Sequence, residues 1–275
     1  MQGTCTPIIH RVDNAVEVRD LRKSFVVPEH QIETVRERFA TGRLKSKSSL
    51  MTALDSVSFD IPSGQFFGIV GRNGSGKSTL LKLMSGIYRA ESGTIRANGK
   101  IAPIIELGVG FNPELTATDN VVLNGVMLGL TEREARDRLF QVVEFAGLSD
   151  FMGLKLKNYS SGMRMRLAFS VMVHVDADIM LIDEVLAVGD GAFKIQSEAA
   201  LRELNAAGRT IILVTHSMST IQAHCDQALL LEGGFVDTFG TPDKVAARYG
   251  ELMKQNSAVR RVNTKLKPPL AGVVS

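Results

Sequence analysis

Apolar and polar residues alternate along 15–26 (AVEVRDLRKSFV) and 56–61 (SVSFDI). That period belongs to strands with one buried face, so both stretches predict half-exposed strands of an antiparallel sheet. Between them the pattern breaks. Residues 29–52 are polar and basic (Arg36, Arg38, Arg43, Lys45, Lys47), with Ile32, Val35 and Phe39 spaced for one short helical face. Segment 27–52 therefore reads as a solvated basic insertion, with a functional loop near lipid headgroups as the alternative. Phe66 to Val70 is an uninterrupted apolar run, as expected of a central parallel strand buried on both faces. Ile179 to Ile182 and Thr210 to Val214 have the same character, each followed by polar residues at its C-terminal end.

The remaining periodicity is helical. From Lys77 the sequence STLLKLMSGIY has helical spacing, with Gly86 as a stop. Residues 131–147 open with Thr131 and Glu134 in capping-box spacing, carry Ala135, Leu139, Val142, Val143 and Ala146 on one face, and stop at Gly147, predicting one amphipathic helix. With 117–130 and 149–158 this forms a helical block, about 112–175, inserted between strand regions. Ala228–Glu232 and Gly234–Thr238 read as a closing hairpin, and Thr241-Pro242 starts a last helix with Val245, Tyr249, Leu252 and Met253 on one face. Residues 1–14 are an N-terminal extension. The polar, basic tail 256–275, with Pro268-Pro269, has no periodicity and reads as disordered.

Composition narrows the class without deciding it. A chain of 275 residues with 44% hydrophobic content buries a sizeable core. The net charge of +3 is too small to imply nucleic acid as a partner. Cys5 and Cys225 have neither metal-ligand nor disulfide-framework spacing, which fits a reducing compartment. No apolar run approaches the roughly 20 residues of a membrane helix, and the start MQGTCTPIIHRVDN lacks the features of a signal peptide. Any membrane role is expected to come through a partner.

Candidate chemistry begins where the first buried strand ends. Gly71-Arg72-Asn73-Gly74-Ser75-Gly76-Lys77-Ser78 satisfies G-x-x-x-x-G-K-[ST] between a predicted strand and a predicted helix. Backbone N–H groups of Gly74 to Thr79 would wrap phosphates at the helix N-terminus, Lys77 would reach the outer phosphates, and Ser78 would take Mg²⁺. Ile179-Met180-Leu181-Ile182-Asp183-Glu184 is an apolar strand ending in two carboxylates. Asp183 is expected to orient the metal and Glu184 to accept a proton from an attacking water. Tyr159-Ser160-Ser161-Gly162-Met163 precedes a helix and makes a second anion-site candidate, although Ser-Ser-Gly in that place is more often a simple cap.

The order of these motifs resembles the ATP-binding-cassette ATPases over roughly residues 15–250: phosphate loop, helical insert, Ser-Ser-Gly at a helix start, strand-Asp-Glu, then a strand with Thr215-His216. The resemblance implies an α/β P-loop fold with a RecA-like parallel core sheet, an N-terminal antiparallel β subdomain and a helical subdomain. It also implies ATP hydrolysis with Mg²⁺ by a head-to-tail homodimer, in which Ser160, Ser161 and Gly162 of one copy meet the ATP held by Gly71, Asn73, Gly74, Ser75, Gly76, Lys77, Ser78 and Thr79 of the other. By the same resemblance His216 is the switch histidine beside catalytic Glu184, Asp190 signals between the sites, and Phe25 stacks on adenine, with an ordinary strand phenylalanine as its alternative.

Departures from the commonest family pattern narrow the resemblance. Tyr-Ser-Ser-Gly-Met replaces Leu-Ser-Gly-Gly-Gln, and Glu106-Leu107-Gly108-Val109-Gly110-Phe111-Asn112-Pro113 stands where a glutamine normally meets Mg²⁺, with Glu106 the nearest substitute ligand. Together with Asp183-Glu184-Val185-Leu186-Ala187-Val188-Gly189-Asp190 they are similar to the subunits that export lipid-linked polysaccharides such as O-antigen, teichoic acid, capsule or galactan. That subgroup implies a separate transmembrane permease, a lipid-linked glycan as cargo, and a place on the cytoplasmic face of the cell membrane. Little foldable sequence follows residue 255, so no glycan-binding sandwich is expected there. Export of a drug or lipid stays open. So does a non-transport cassette, although neither the long coiled coils of the DNA-repair type nor the paired phosphate loops of the translation type is present. A small-molecule P-loop kinase would need neither Ser160–Gly162 nor His216.

Overall fold

The computed structural model describes residues 13–28, 48–104, 110–183 and 191–265. The N-terminal alternation becomes two long strands, β1 (Asn14–Pro28) and β2 (Ser48–Pro62), paired antiparallel. Strand β3 (Phe66–Val70) and helix α1 (Lys77–Met84) follow, and β4 (Ser92–Ala97) then returns to the other edge of β1, giving the order β2-β1-β4. Val16, Val18 and Leu21 all point inward although the last step is three residues. A register shift lies between Val18 and Leu21, where Asp20 takes φ 47° and absorbs the extra residue. The strands reach further into the basic segment than expected: Val27 pairs with Ser49 and Pro28 with Ser48, so 27–28 and 48–52 are strand. Pairing to the partner strand outweighs their polar composition, and 29–47 lies outside the described residues.

The second sheet contains β5 (Ile101–Ile104), β6 (Ile179–Asp183), β7 (Thr210–Thr215), β8 (Gln227–Glu232) and β9 (Phe235–Gly240), in the order β5-β6-β7-β3-β8-β9. All neighbours are parallel except β9, which closes the sheet as an antiparallel hairpin with β8. The continuous apolar runs are explained by burial on both faces. Phe67, Ile69, Leu181 and Val214 share one core with α1 and the first sheet, while Phe66, Val70, Ile182 and Leu213 line the other core.

A helical block separates β5 from β6 in the chain: α2 (Ala117–Met127), α3 (Glu132–Asp137), α4 (Leu139–Ala146) and α5 (Ser161–Val173), with single 3₁₀ turns at Ser149–Phe151 and Leu156–Asn158. It has a core of its own, in which Val121, Val142, Leu156, Leu167 and Val171 meet. The Thr131–Glu134 capping box forms and Gly147 ends the helix with φ 64°. The single helix expected over 131–147 is instead two. The chain kinks at Arg138 (φ −89°, ψ −7°), whose guanidinium donates to the His174 carbonyl and ties the junction to the end of α5.

Helices α6 (Gly191–Ala206), α7 (Met218–His224) and α8 (Pro242–Lys265) cover the second core through Phe193, Leu201, Ile221 and Val245. Helix α8 runs to Lys265, past the boundary at about 255 where a disordered tail was expected. Residues 256–265 contain neither glycine nor proline, so an established helix propagates through them; Pro268 is the first breaker. Residues 266–275 lie outside the described residues.

Candidate functional site

Strand β3 delivers the chain into a loop that neighbouring backbone holds tightly. A Cβ on Gly71 would sit 2.2 Å from the Leu231 carbonyl oxygen and 2.6 Å from Ser75 Oγ. Gly76 has φ 103°, and a Cβ there would lie 2.5 Å from the Ala53 carbonyl oxygen. The Gly234 N–H donates to the Ser75 carbonyl and the Asp55 N–H to the Gly234 carbonyl, so the β8–β9 turn and β2 brace the loop from behind. Replacing Gly71 by alanine is expected to cost about 3 kcal/mol, the upper end for overpacking against fixed backbone. A lowered urea midpoint with an unchanged slope would register it.

Inside the loop, Lys77 Nζ donates to the carbonyls of Gly71 and Arg72 at 2.7 and 2.9 Å. Burial pushes the Lys77 ammonium below the usual lysine range, while the carboxylates of Asp183 and Glu232 oppose that shift by stabilising its charge. Ser75 Oγ is buried with no partner among the described residues. Asn73, Gly74 and Ser78 are exposed and Thr79 is half-buried, so the outer rim of the loop is accessible.

Sheet register places the other groups. Asp183 pairs with Val214, which pairs with Ile69, so Asp183 lies two strands from the root of the phosphate loop. At strand spacing that is about 10 Å. Between them β7 ends in buried Thr215, followed by exposed His216, and both line a groove of about 500 Å³ with Lys194, Glu198, Arg202 and His224. A hydroxyl on Ser78 and a carboxylate on Asp183 are hard oxygen donors suited to Mg²⁺, which characteristically uses one or two carboxylates together with substrate phosphates. No group of three or more His, Cys, Asp or Glu that could hold a metal occurs among the described residues.

A second surface lies on the helical block. Ser160 is the N-cap of α5, its hydroxyl accepting from the Met163 N–H at 3.2 Å. Ser160 and Ser161 are exposed, and a Cβ on Gly162 would meet nothing closer than Ser160 Oγ at 3.9 Å, which leaves this helix N-terminus open to close approach. Buried Tyr159 anchors the preceding turn by donating to the Phe151 carbonyl at 2.9 Å.

A family model for the ABC transporter matches residues 54–187. The O-antigen export system ATP-binding protein RfbB of Myxococcus xanthus is 42% identical over 251 residues, 87% of this chain and 56% of that protein. The RfbB protein of Klebsiella pneumoniae is 39% identical over 201 residues, 73% of this chain and 82% of that one. The chain belongs to the ABC transporter family. Its fold is also that of the dimeric ATP-binding cassette MJ0796 in a post-hydrolysis state with ADP and phosphate: TM-score 0.66 at 22% identity, over 82% of this chain and 98% of the other.

Within this cassette, the structure brings the phosphate loop, Asp183 and His216 to one sheet edge and sets Ser160–Gly162 on the separate helical block. Phe25 lies near the end of β1, half-buried, with Lys23 Nζ 5.4 Å from its ring centroid. Glu184, Asp190 and Glu106 fall outside the described residues. Sequence reasoning missed Glu232. At the end of β8, it pairs with Arg72 of the loop at 3.4 Å and acts electrostatically on Lys77. A charged residue ending an apolar run before Gly233-Gly234 was its only signal.

Proposed function

We propose that this cassette hydrolyses ATP as a head-to-tail homodimer and that the cycle drives export of a lipid-linked polysaccharide through a separate membrane-spanning subunit. The observation that carries the ATPase reading is Lys77, held by loop carbonyls and sensed by the Asp183 carboxylate at the C-terminal edge of a parallel sheet. On binding, the triphosphate replaces those carbonyls as the acceptor for Lys77. Backbone N–H groups at the start of α1 face its negative charge. Ser78 and Asp183 would hold Mg²⁺, whose charge would offset that of the phosphate oxygens. Glu184 takes the proton of the attacking water, and His216 bonds the outer phosphate.

The substrate reading rests on the two relatives named for O-antigen export. No helix among the described residues is long and apolar enough to cross a membrane. The export-system names of those relatives support a partner as the membrane path, with this chain at its cytoplasmic face. Co-expression with a candidate membrane-spanning permease tests this. The expected result is co-purification and ATPase stimulation by the lipid-linked glycan; stimulation by a drug or unglycosylated lipid alone would overturn the substrate class.

The homodimer has its own test at Ser160. A head-to-tail arrangement places the exposed N-terminus of α5 against the partner's ATP, so Ser160→Arg should abolish steady-state hydrolysis while leaving nucleotide binding by the monomer intact. Equilibrium binding of a fluorescent ATP analogue measures the second quantity, and its loss would argue for a site built within one copy.

A further inference from the structure

The segment that follows α1 is stitched to β1 beside Phe25 by three contacts of different kinds. The Glu91 N–H donates to the Arg22 carbonyl at 2.9 Å, and the Ser24 N–H donates to Glu91 Oε1 at 2.9 Å. Between those anchors and the helix end, Tyr88 sets its ring edge-on to Phe25, with centroids 5.5 Å apart and planes at 64°. The turn itself is fixed by Gly86 at φ 75° and by the Tyr88 N–H donating to the Lys82 carbonyl at 3.0 Å. Helix α1 therefore carries the phosphate loop at its first residue and, one turn beyond its last, a ring that limits how the Phe25 ring can tilt.

We propose that Tyr88, held by the Gly86 turn and by Glu91, is a positioning residue that orients Phe25 for stacking on the purine of the bound nucleotide. The inference rests on the ATPase reading and on Phe25 as the stacking ring, and it adds a rigid link between base site and phosphate site. An edge-to-face pair stabilises its two rings beyond the area it buries. A Phe25 ring free to tilt forfeits stacking, so the loss should fall on the base and spare the phosphates. Glu91 is exposed but accepts from the N–H of buried Ser24, and Tyr88 is half-buried against the core shared by α1 and the first sheet, so an unchanged tripolyphosphate affinity is what shows that a variant keeps its fold.

The test compares equilibrium binding of ATP with that of inorganic tripolyphosphate, which lacks the base, in Tyr88→Ala, Tyr88→Phe, Glu91→Ala and Phe25→Ala. Tyr88→Ala should weaken ATP about fivefold and Glu91→Ala less, both sparing tripolyphosphate, with Tyr88→Phe restoring wild-type affinity because the ring edge is retained. Equal weakening of tripolyphosphate, or unchanged ATP affinity in Tyr88→Ala while Phe25→Ala weakens it, would overturn the positioning role alone. Unchanged ATP affinity in Phe25→Ala would sink the stacking assignment beneath it. Wild-type protein binding neither probe would remove the ATPase reading itself.

Discussion

Replacing Lys77 by alanine is expected to weaken ATP binding by roughly 10²-fold and to lower turnover by about 10²- to 10³-fold. The side chain sits in a loop that backbone on β2 and the β8–β9 turn holds in place, so its removal deletes donors without collapsing the cradle. Each charge-assisted hydrogen bond to a phosphate contributes about 1.5–3 kcal/mol, and every 1.4 kcal/mol is tenfold in affinity. Burial already lowers the proton affinity of Lys77, so the ammonium has lost part of its hydration before the nucleotide arrives. The Asp183 and Glu232 carboxylates oppose that shift by stabilising its charge. Lys77→Arg should recover part of the binding and little of the rate, because a planar guanidinium does not fit a point-charge site between two carbonyls. Calorimetric titration with ATP and a phosphate-release assay measure both quantities, and wild-type affinity in Lys77→Ala would dismiss the loop as the triphosphate cradle.

Elements buried on both faces were the most legible in the sequence, because a short apolar run that ends at a glycine loop or at polar residues fits a central strand. Phe66–Val70, Ile179–Ile182 and the run after Thr210 became β3, β6 and β7, and their shared C-terminal edge followed from parallel order. Strands β4 and β5 were not legible. Ser92–Ala97 is mostly exposed, with only Ile95 half-buried, so it carries no apolar pattern and is a strand only because the edge of β1 accepts it. Ile101–Ile104 contains Pro103, which argues against a strand, yet it lies at the edge of the sheet beside β6, where proline is tolerated. The break at Arg138 was hidden for a different reason: its guanidinium bonds to the His174 carbonyl, far along the chain, and local periodicity runs straight through it. Long-range pairing also hid the support around the site. Glu232 and Tyr88 gain their places from contacts with Arg72 and Phe25, which no local spacing reveals.

Glu184→Gln should reduce steady-state turnover by about 10²- to 10⁴-fold while leaving ATP affinity within a fewfold of wild type. The separation of these effects follows from where each task is placed. Binding depends on the braced loop, on Lys77 and on the start of α1, all on the β3 side of the sheet. In the proposed mechanism proton removal falls to the carboxylate that follows Asp183 in the sequence, and Asp183 is aligned two strands away at the same sheet edge. An amide keeps the size and hydrogen-bonding reach of the carboxylate but accepts no proton at neutral pH, so the bound state forms and the chemical step stalls. The stalled state should be visible as a dimer that accumulates with ATP and not with ADP, measured by size-exclusion chromatography under both nucleotides. Asp183→Asn gives the contrasting pattern. Removing that charge takes away the carboxylate that stabilises the Lys77 ammonium and is proposed to hold Mg²⁺, so affinity and rate should fall together. If Glu184→Gln instead turned over at the wild-type rate, the proton would have to leave through another group, and His216, exposed at the end of β7, would be the next to replace.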